Sequence, residues 1–67
     1  MILLKNPTTG AYLSKSIRMD DGRWIHTESM DRMEAMAVYR EDIHKFMAST
    51  GVPWVEEKIG INPPTIT

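Results

Sequence analysis

Apolar positions change period along this chain. Through residues 2–27 they come in short runs or alternate, and from Asp31 to Gly51 they recur every three to four residues. Ile2 to Lys5 is a short apolar run that reads as a strand. Asn6, Pro7, Thr8, Thr9 and Gly10 come next as a turn cluster, because Asn-Pro starts turns and glycine accepts a positive φ. Ala11 to Met19 alternates, with Leu13, Ile17 and Met19 on one face and Tyr12, Ser14, Ser16 and Arg18 on the other. Lys15 interrupts the apolar face, which points to a bulge or a sheet rim. Asp20, Asp21 and Gly22 form the next turn, and Asp-Gly between two strand-like runs is a strong hairpin signal. Arg23 to Thr27 is the third strand. Trp24 and His26 point one way and Arg23 and Ile25 the other, and alternation alone leaves open which side is the core.

The segment DRMEAMAVYREDIHKFMASTG, Asp31 to Gly51, is predicted as a helix with both ends signalled. Asp31 suits the N-cap, and Glu34 three residues on is placed to complete an acidic capping box, with Ser29 and Thr27 as rival caps. Gly51 suits the left-handed position after the last turn, Val52 can then meet Met47, and Pro53 blocks continuation. At 100° per residue, Ala35, Met36, Tyr39, Ile43, Phe46 and Met47 form a core-facing stripe, with Glu34, Glu41, Asp42 and Lys45 mostly opposite. A second line, Met33, Ala37, Arg40 and His44, keeps to one side by its 4-3-4 spacing. It reads either as the wet edge of the core stripe, with Arg40 snorkelling, or as a contact surface for another chain.

Val52 to Ile59 is a candidate fourth strand, with Pro53 at its start and charges that suit a sheet edge. Residues 60–67 contain Pro63-Pro64 and no core pattern, and read as an extended or mobile tail. The expected architecture is α+β: a small two-layer domain over residues 1–59, in which an antiparallel three- to four-stranded sheet packs on one α-helix in the order β-β-β-α-β. Leu13, Ile17, Met19, Val55, either Trp24 or Ile25, and the main helix stripe are the expected core.

Composition narrows the function more than it identifies it. The chain has 67 residues, no cysteine and a net charge of −1. A chain this small hides only about 60% of its unfolded surface. Without cysteine there are no disulfides, no thiolate metal sites and no cysteine nucleophile, which fits a reducing, cytoplasmic setting. No apolar run reaches the length of a membrane span, and MILLKNP is too short in its apolar part for a signal peptide. Six methionines are many for this length and tilt the reading towards adaptable contact surfaces.

Candidate chemistry is sparse. His26 and His44 form no His-x-x-x-His or other ligand spacing, so neither metal nor cofactor is expected. His26 and Glu28 can share a strand face, but two ligands do not make a site. The serines sit in no nucleophile elbow, the four glycines build no phosphate loop, and Asp20-Asp21 and Glu56-Glu57 do not face a shared substrate. An enzyme is therefore not the expectation.

Two binding readings fit these limits. The first is a small non-catalytic protein-binding module, of the kind a bacterium or bacteriophage uses as an accessory protein to modulate a partner, or one that binds itself. Met33, Ala37, Arg40 and His44 are its candidate contact residues. The second is nucleic-acid binding. Gly22-Arg23-Trp24-Ile25 and, further on, Asp31-Arg32-Met33-Glu34-Ala35 together resemble the strand-then-capped-helix pattern of DNA-binding domains built from a three-stranded sheet and a helix. The plant AP2 domain and the arm-binding domain of tyrosine recombinases are of this kind. The resemblance covers about half the chain and implies major-groove reading by a basic sheet face, here Tyr12, Lys15, Arg18, Arg23 and Trp24. The negative net charge opposes it, since counterion release needs several cations on one surface.

Overall fold

Three glycines at positive φ, Gly10, Gly22 and Gly51, mark where the chain reverses. The computed structural model describes residues 1–59. Its elements are β1 (Ile2–Lys5), β2 (Tyr12–Arg18), β3 (Trp24–Ser29), α1 (Ile43–Thr50) and β4 (Val55–Lys58). The strands form one sheet in the order β3-β2-β1-β4, with every neighbouring pair antiparallel. The fold is thus α+β, a four-stranded antiparallel sheet with one helix in the order β-β-β-α-β. The tail expected over residues 60–67 lies outside the described residues.

The helix is shorter than its sequence signals predict. A 3-10 turn at Arg40–Asp42 runs directly into α1, giving a helical segment of 11 residues. Asp31 does cap, accepting from the Met33 N–H at 2.9 Å, but it caps only a single 3-10 turn, Arg32–Glu34. Glu34 does not reach back to Asp31. It accepts the Ser29 hydroxyl at 2.6 Å, while the Asp31 N–H donates to the Ser29 oxygen at 3.0 Å. Ala35 is already extended, with φ −69° and ψ 139°.

Competition for backbone hydrogen bonds explains the missing turns. Residues 36–39 read Met-Ala-Val-Tyr, which alternates as well as it spirals. Val38 and Ile2 exchange both backbone hydrogen bonds, at 2.8 and 2.9 Å, and the Met36 N–H donates to the Leu13 carbonyl at 2.9 Å. The segment thereby satisfies backbone groups of β1 and β2 that the short β1–β2 ladder leaves open, since those strands pair only at Lys5 and Tyr12. Unpaired buried backbone groups are costly. A β-branched valine, buried at the bridge, suits that extended role.

The interruption expected at Lys15 is present as a bulge. Leu13 pairs with Glu28 and Lys15 with Thr27, so Ser14 is the extra residue. Its consequence reverses one expectation. Leu13 is fully buried, but Ile17 and Met19 are exposed, because alternation restarts with opposite phase after Ser14. Val55 and Ile25 are exposed too. The core lies at the other end of the sheet: Ile2, Leu4, Leu13, Val38 and Trp54, with Met36, Ile43, Phe46, Met47 and Val52 packed against them. Of the predicted helix stripe, Met36, Ile43, Phe46 and Met47 therefore do pack on the core, whereas Tyr39 faces solvent.

Trp54 settles the centre of this core. It is 2% exposed. Its ring meets His26 edge-on at 5.7 Å, and its Nε1–H donates to the Thr50 hydroxyl at 2.9 Å, so the one polar atom of the indole is satisfied. The helix stop is as expected: Gly51 has φ 74° and its N–H donates to the Met47 carbonyl at 2.9 Å.

Candidate functional site

Cross-strand register assigns each hairpin side chain to a face. Directly opposed residues in an antiparallel pair share a side. Leu13 with Glu28, Ser16 with His26, and Arg18 with Trp24 look towards α1; Tyr12 with Ser29, Lys15 with Thr27, and Ile17 with Ile25 look away. Because the core stops near Leu13, the outer half of the β2–β3 hairpin extends past it. On the side towards α1 this leaves a groove of about 660 Å3 between hairpin and helix. Trp24, Met36, Phe46 and Ala48 form its apolar walls, and Asp42 and Lys45 belong to its polar lining. Trp24 is 49% exposed there, a large aromatic half-sunk in an open apolar hollow. Asp42 and Lys45 are paired at 3.5 Å on successive turns. The carboxylate that Lys45 meets is thus Asp42 at i,i+3, in place of the Glu41–Lys45 pair at i,i+4 that helical spacing suggests.

A polar cluster stiffens the base of the hairpin. Glu28 is the hub: Oε2 meets His26 Nε2 at 2.9 Å, and Oε1 accepts from Asn6 Nδ2 at 3.2 Å and from the Thr9 hydroxyl at 3.5 Å. His26 and Glu28 do share a strand face. Among the described residues no three His, Asp or Glu side chains gather in a way that would hold a metal ion.

On the opposite face of the sheet, Tyr12 and Arg32 converge on one carboxylate. The Tyr12 hydroxyl donates to Glu57 Oε2 at 2.8 Å, and Arg32 Nε donates to the same oxygen at 2.9 Å. Arg32 Nη2 also donates to the Lys58 carbonyl at 2.9 Å, and the Lys5 ammonium lies 5.7 Å from the Tyr12 ring centre. Arg32, and then Tyr12, hold the Glu57 carboxyl below its ordinary range by hydrogen bonding to its charged form. Donation to Glu57 raises the Tyr12 phenol. The arrangement ties the 3-10 turn after β3 to the edge strand β4. No spacing in the sequence signals it, because 25 residues separate Arg32 from Glu57.

The candidate contact line Met33, Ala37, Arg40 and His44 does not exist as one helix face. Met33 sits in the first 3-10 turn and Ala37 in the extended segment, while Arg40 and His44 belong to the 11-residue helical stretch. All four are exposed, Met33 at 89%. Arg40 pairs with Glu56 of β4 at 3.2 Å. The five candidate nucleic-acid residues are likewise divided. Lys15 and Tyr12 are on the face away from α1, and Tyr12 is buried there. Arg18 and Trp24 are on the face towards it, and Arg23 at the turn is paired with Asp21 at 2.6 Å. After Gly22-Arg23-Trp24-Ile25 the chain continues as strand and then a 3-10 turn, in place of the capped helix that the resemblance implies. The groove itself was not legible, since its walls come from three separate segments. The one signal for it is Trp24 in a short strand beside a tight turn.

The chain is a small, cysteine-free α+β domain, and among its described residues no helix is long and apolar enough to cross a membrane. No protein-family model, curated protein or solved structure matches it.

Proposed function

We propose that this is a non-catalytic protein-binding module whose contact site is the groove between the β2–β3 hairpin and α1. One observation carries the reading: Trp24 stands half-exposed in an apolar hollow walled by Met36, Phe46 and Ala48. Aromatic anchors in desolvated pockets dominate protein interfaces, with charged rims adding specificity rather than energy. The fitting partner presents one bulky apolar side chain to the groove and a polar neighbour to Asp42 and Lys45. The division of Tyr12, Lys15, Arg18 and Arg23 between surfaces favours this reading over a nucleic-acid interface. A small accessory protein that modulates its partner by occupying a surface fits these properties.

Affinity capture from the native host with the intact chain is the test. Trp24→Ala should lose the captured protein. So should Ala48→Arg, which adds a long side chain at an exposed helix position lining the groove. Met33→Ala and His44→Ala should keep it. Retention by both groove variants, with loss in Met33→Ala, would move the contact site to the surface around Met33.

A further inference from the structure

The two edges of the sheet differ in chemistry. β4 is guarded: Pro53 lies two residues before it, and Glu56, Glu57 and Lys58 make up three of its four residues. Charges and proline on an edge are how proteins prevent strand addition. β3 has neither. Over its six residues, Trp-Ile-His-Thr-Glu-Ser, only Glu28 is formally charged at neutral pH with histidine neutral, and that carboxylate is held internally by Asn6 and His26. β3 ends the sheet, and among the described residues no backbone hydrogen bond reaches its outward side. Beside that open edge, Ile25 and its cross-strand neighbour Ile17 are 47% and 42% exposed on the face away from α1.

The geometry points to β3 as a self-association edge, which pairs antiparallel with β3 of a second copy across a two-fold axis at Ile25. Face matching sets the register. A two-fold axis perpendicular to the sheet keeps each face on its own side, so it must pass midway between a residue and that residue's own image. Centred on Ile25, it sets Ile25 against its own image and Trp24 against His26 of the second copy, and opposes no like charges. Ile17, Ile25 and their images then form one apolar row over four adjacent strands spaced about 4.8 Å apart. The same operation centred on either middle residue of β4, Glu56 or Glu57, would set glutamate against glutamate. The occupant is a second copy because the strand is complementary to itself: pairing closes the open backbone edge and covers both isoleucines at once. The groove opens on the other face, and its Trp24 would lie beside His26 of the second copy, so the dimer is tested with substitutions at Ile25 and Ala48 and not at Trp24.

Sedimentation of the full chain over a concentration series should show a monomer–dimer equilibrium. Ile25→Lys and Ile25→Glu should each weaken it by about tenfold or more, by setting like charges opposite. An equal mixture of the two variants should restore the dimer, because the opposed pair is then Lys with Glu. The cysteine-free background allows a second reading. Ile25→Cys should oxidise to a covalent dimer about tenfold faster than Val55→Cys on the opposite edge, since only the residue on the axis meets its own copy at disulfide distance. Ala48→Arg should dimerise like the parent, which separates this edge from the groove. A strict monomer at millimolar concentration, failure of the mixture to restore association, or equal oxidation of the two cysteines would overturn the proposal.

Discussion

Glu57 shows how one carboxylate can serve two elements. It receives Tyr12 from β2 and Arg32 from the 3-10 turn on a single oxygen. Because its folded pKa is depressed, its contribution to stability is present above the unfolded value of about 4.3 and is lost as pH falls through the lower folded value. Tyr12 works in the other direction. Its pKa is raised, so its contribution is present below about pH 10 and lost as pH rises through the folded value. Urea titrations across pH should therefore show Glu57→Gln with a flatter acid limb than the parent, and Tyr12→Phe with a flatter alkaline limb. Equal acid limbs in Glu57→Gln and the parent would mean that the two donors do not hold this carboxylate in solution. Nothing in the sequence foretold the pairing, whereas Gly51 and the Asp-Gly turn were legible, because a backbone that needs positive φ limits the residue type locally.

Among the elements, the strands were the easier reading and the start of the helix the harder. β1 begins and ends where its apolar run does, and β2 and β3 begin one residue inside their expected starts. The segment 31–39 failed for a definite reason. Asp31, Glu34 and the 3.6-residue spacing are local signals, whereas the hydrogen bonds from residues 36 and 38 to β2 and β1 are long-range and win. Nothing in a helical wheel reveals that Ile2 and Leu13 have backbone groups to satisfy. Val38 should accordingly behave as a strand residue. Its amide should exchange as slowly as those of β1, and Val38→Ala should cost about 1.5–3 kcal/mol in equilibrium unfolding, from lost burial and the cavity left behind. An amide at position 38 that exchanges at the rate of a solvent-exposed loop would remove the bridge from the solution structure.

At the scale of the whole molecule the core sits at one end and the β2–β3 hairpin projects past it. Trp54, Leu4, Leu13, Ile2 and Val38 close the core around β1 and β4, while Ile17, Met19, Trp24 and Ile25 extend past it on the hairpin. The overall layout, one sheet and one helix, was legible from period and turns. The site was not, because its position depends on a one-residue change of phase in β2. Charge at this scale bears on the second binding reading. With a net charge of −1 and its hairpin cations on different surfaces, the protein should not retain duplex DNA at about 50 mM salt and micromolar concentration. A retained complex whose affinity falls steeply with salt would reinstate that reading.

Ser14 acts on β2 as a frameshift acts on a message. Upstream, odd positions are read into the core; downstream, the same odd positions are read out to solvent. The bulge thus puts Leu13 on the core side and Ile17 and Met19 on the other, where unbroken alternation through Ser14 would set all three on one face. Removing it is a mild edit to the β2–β3 ladder, since Leu13 would still oppose Glu28 and Lys15 would still oppose Thr27. The change falls elsewhere. A straightened β2 would run on alongside β1 and compete for the space where Val38 now bridges Ile2. A Ser14 deletion is therefore expected to keep the hairpin amides protected while the Ile2 and Val38 amides exchange faster.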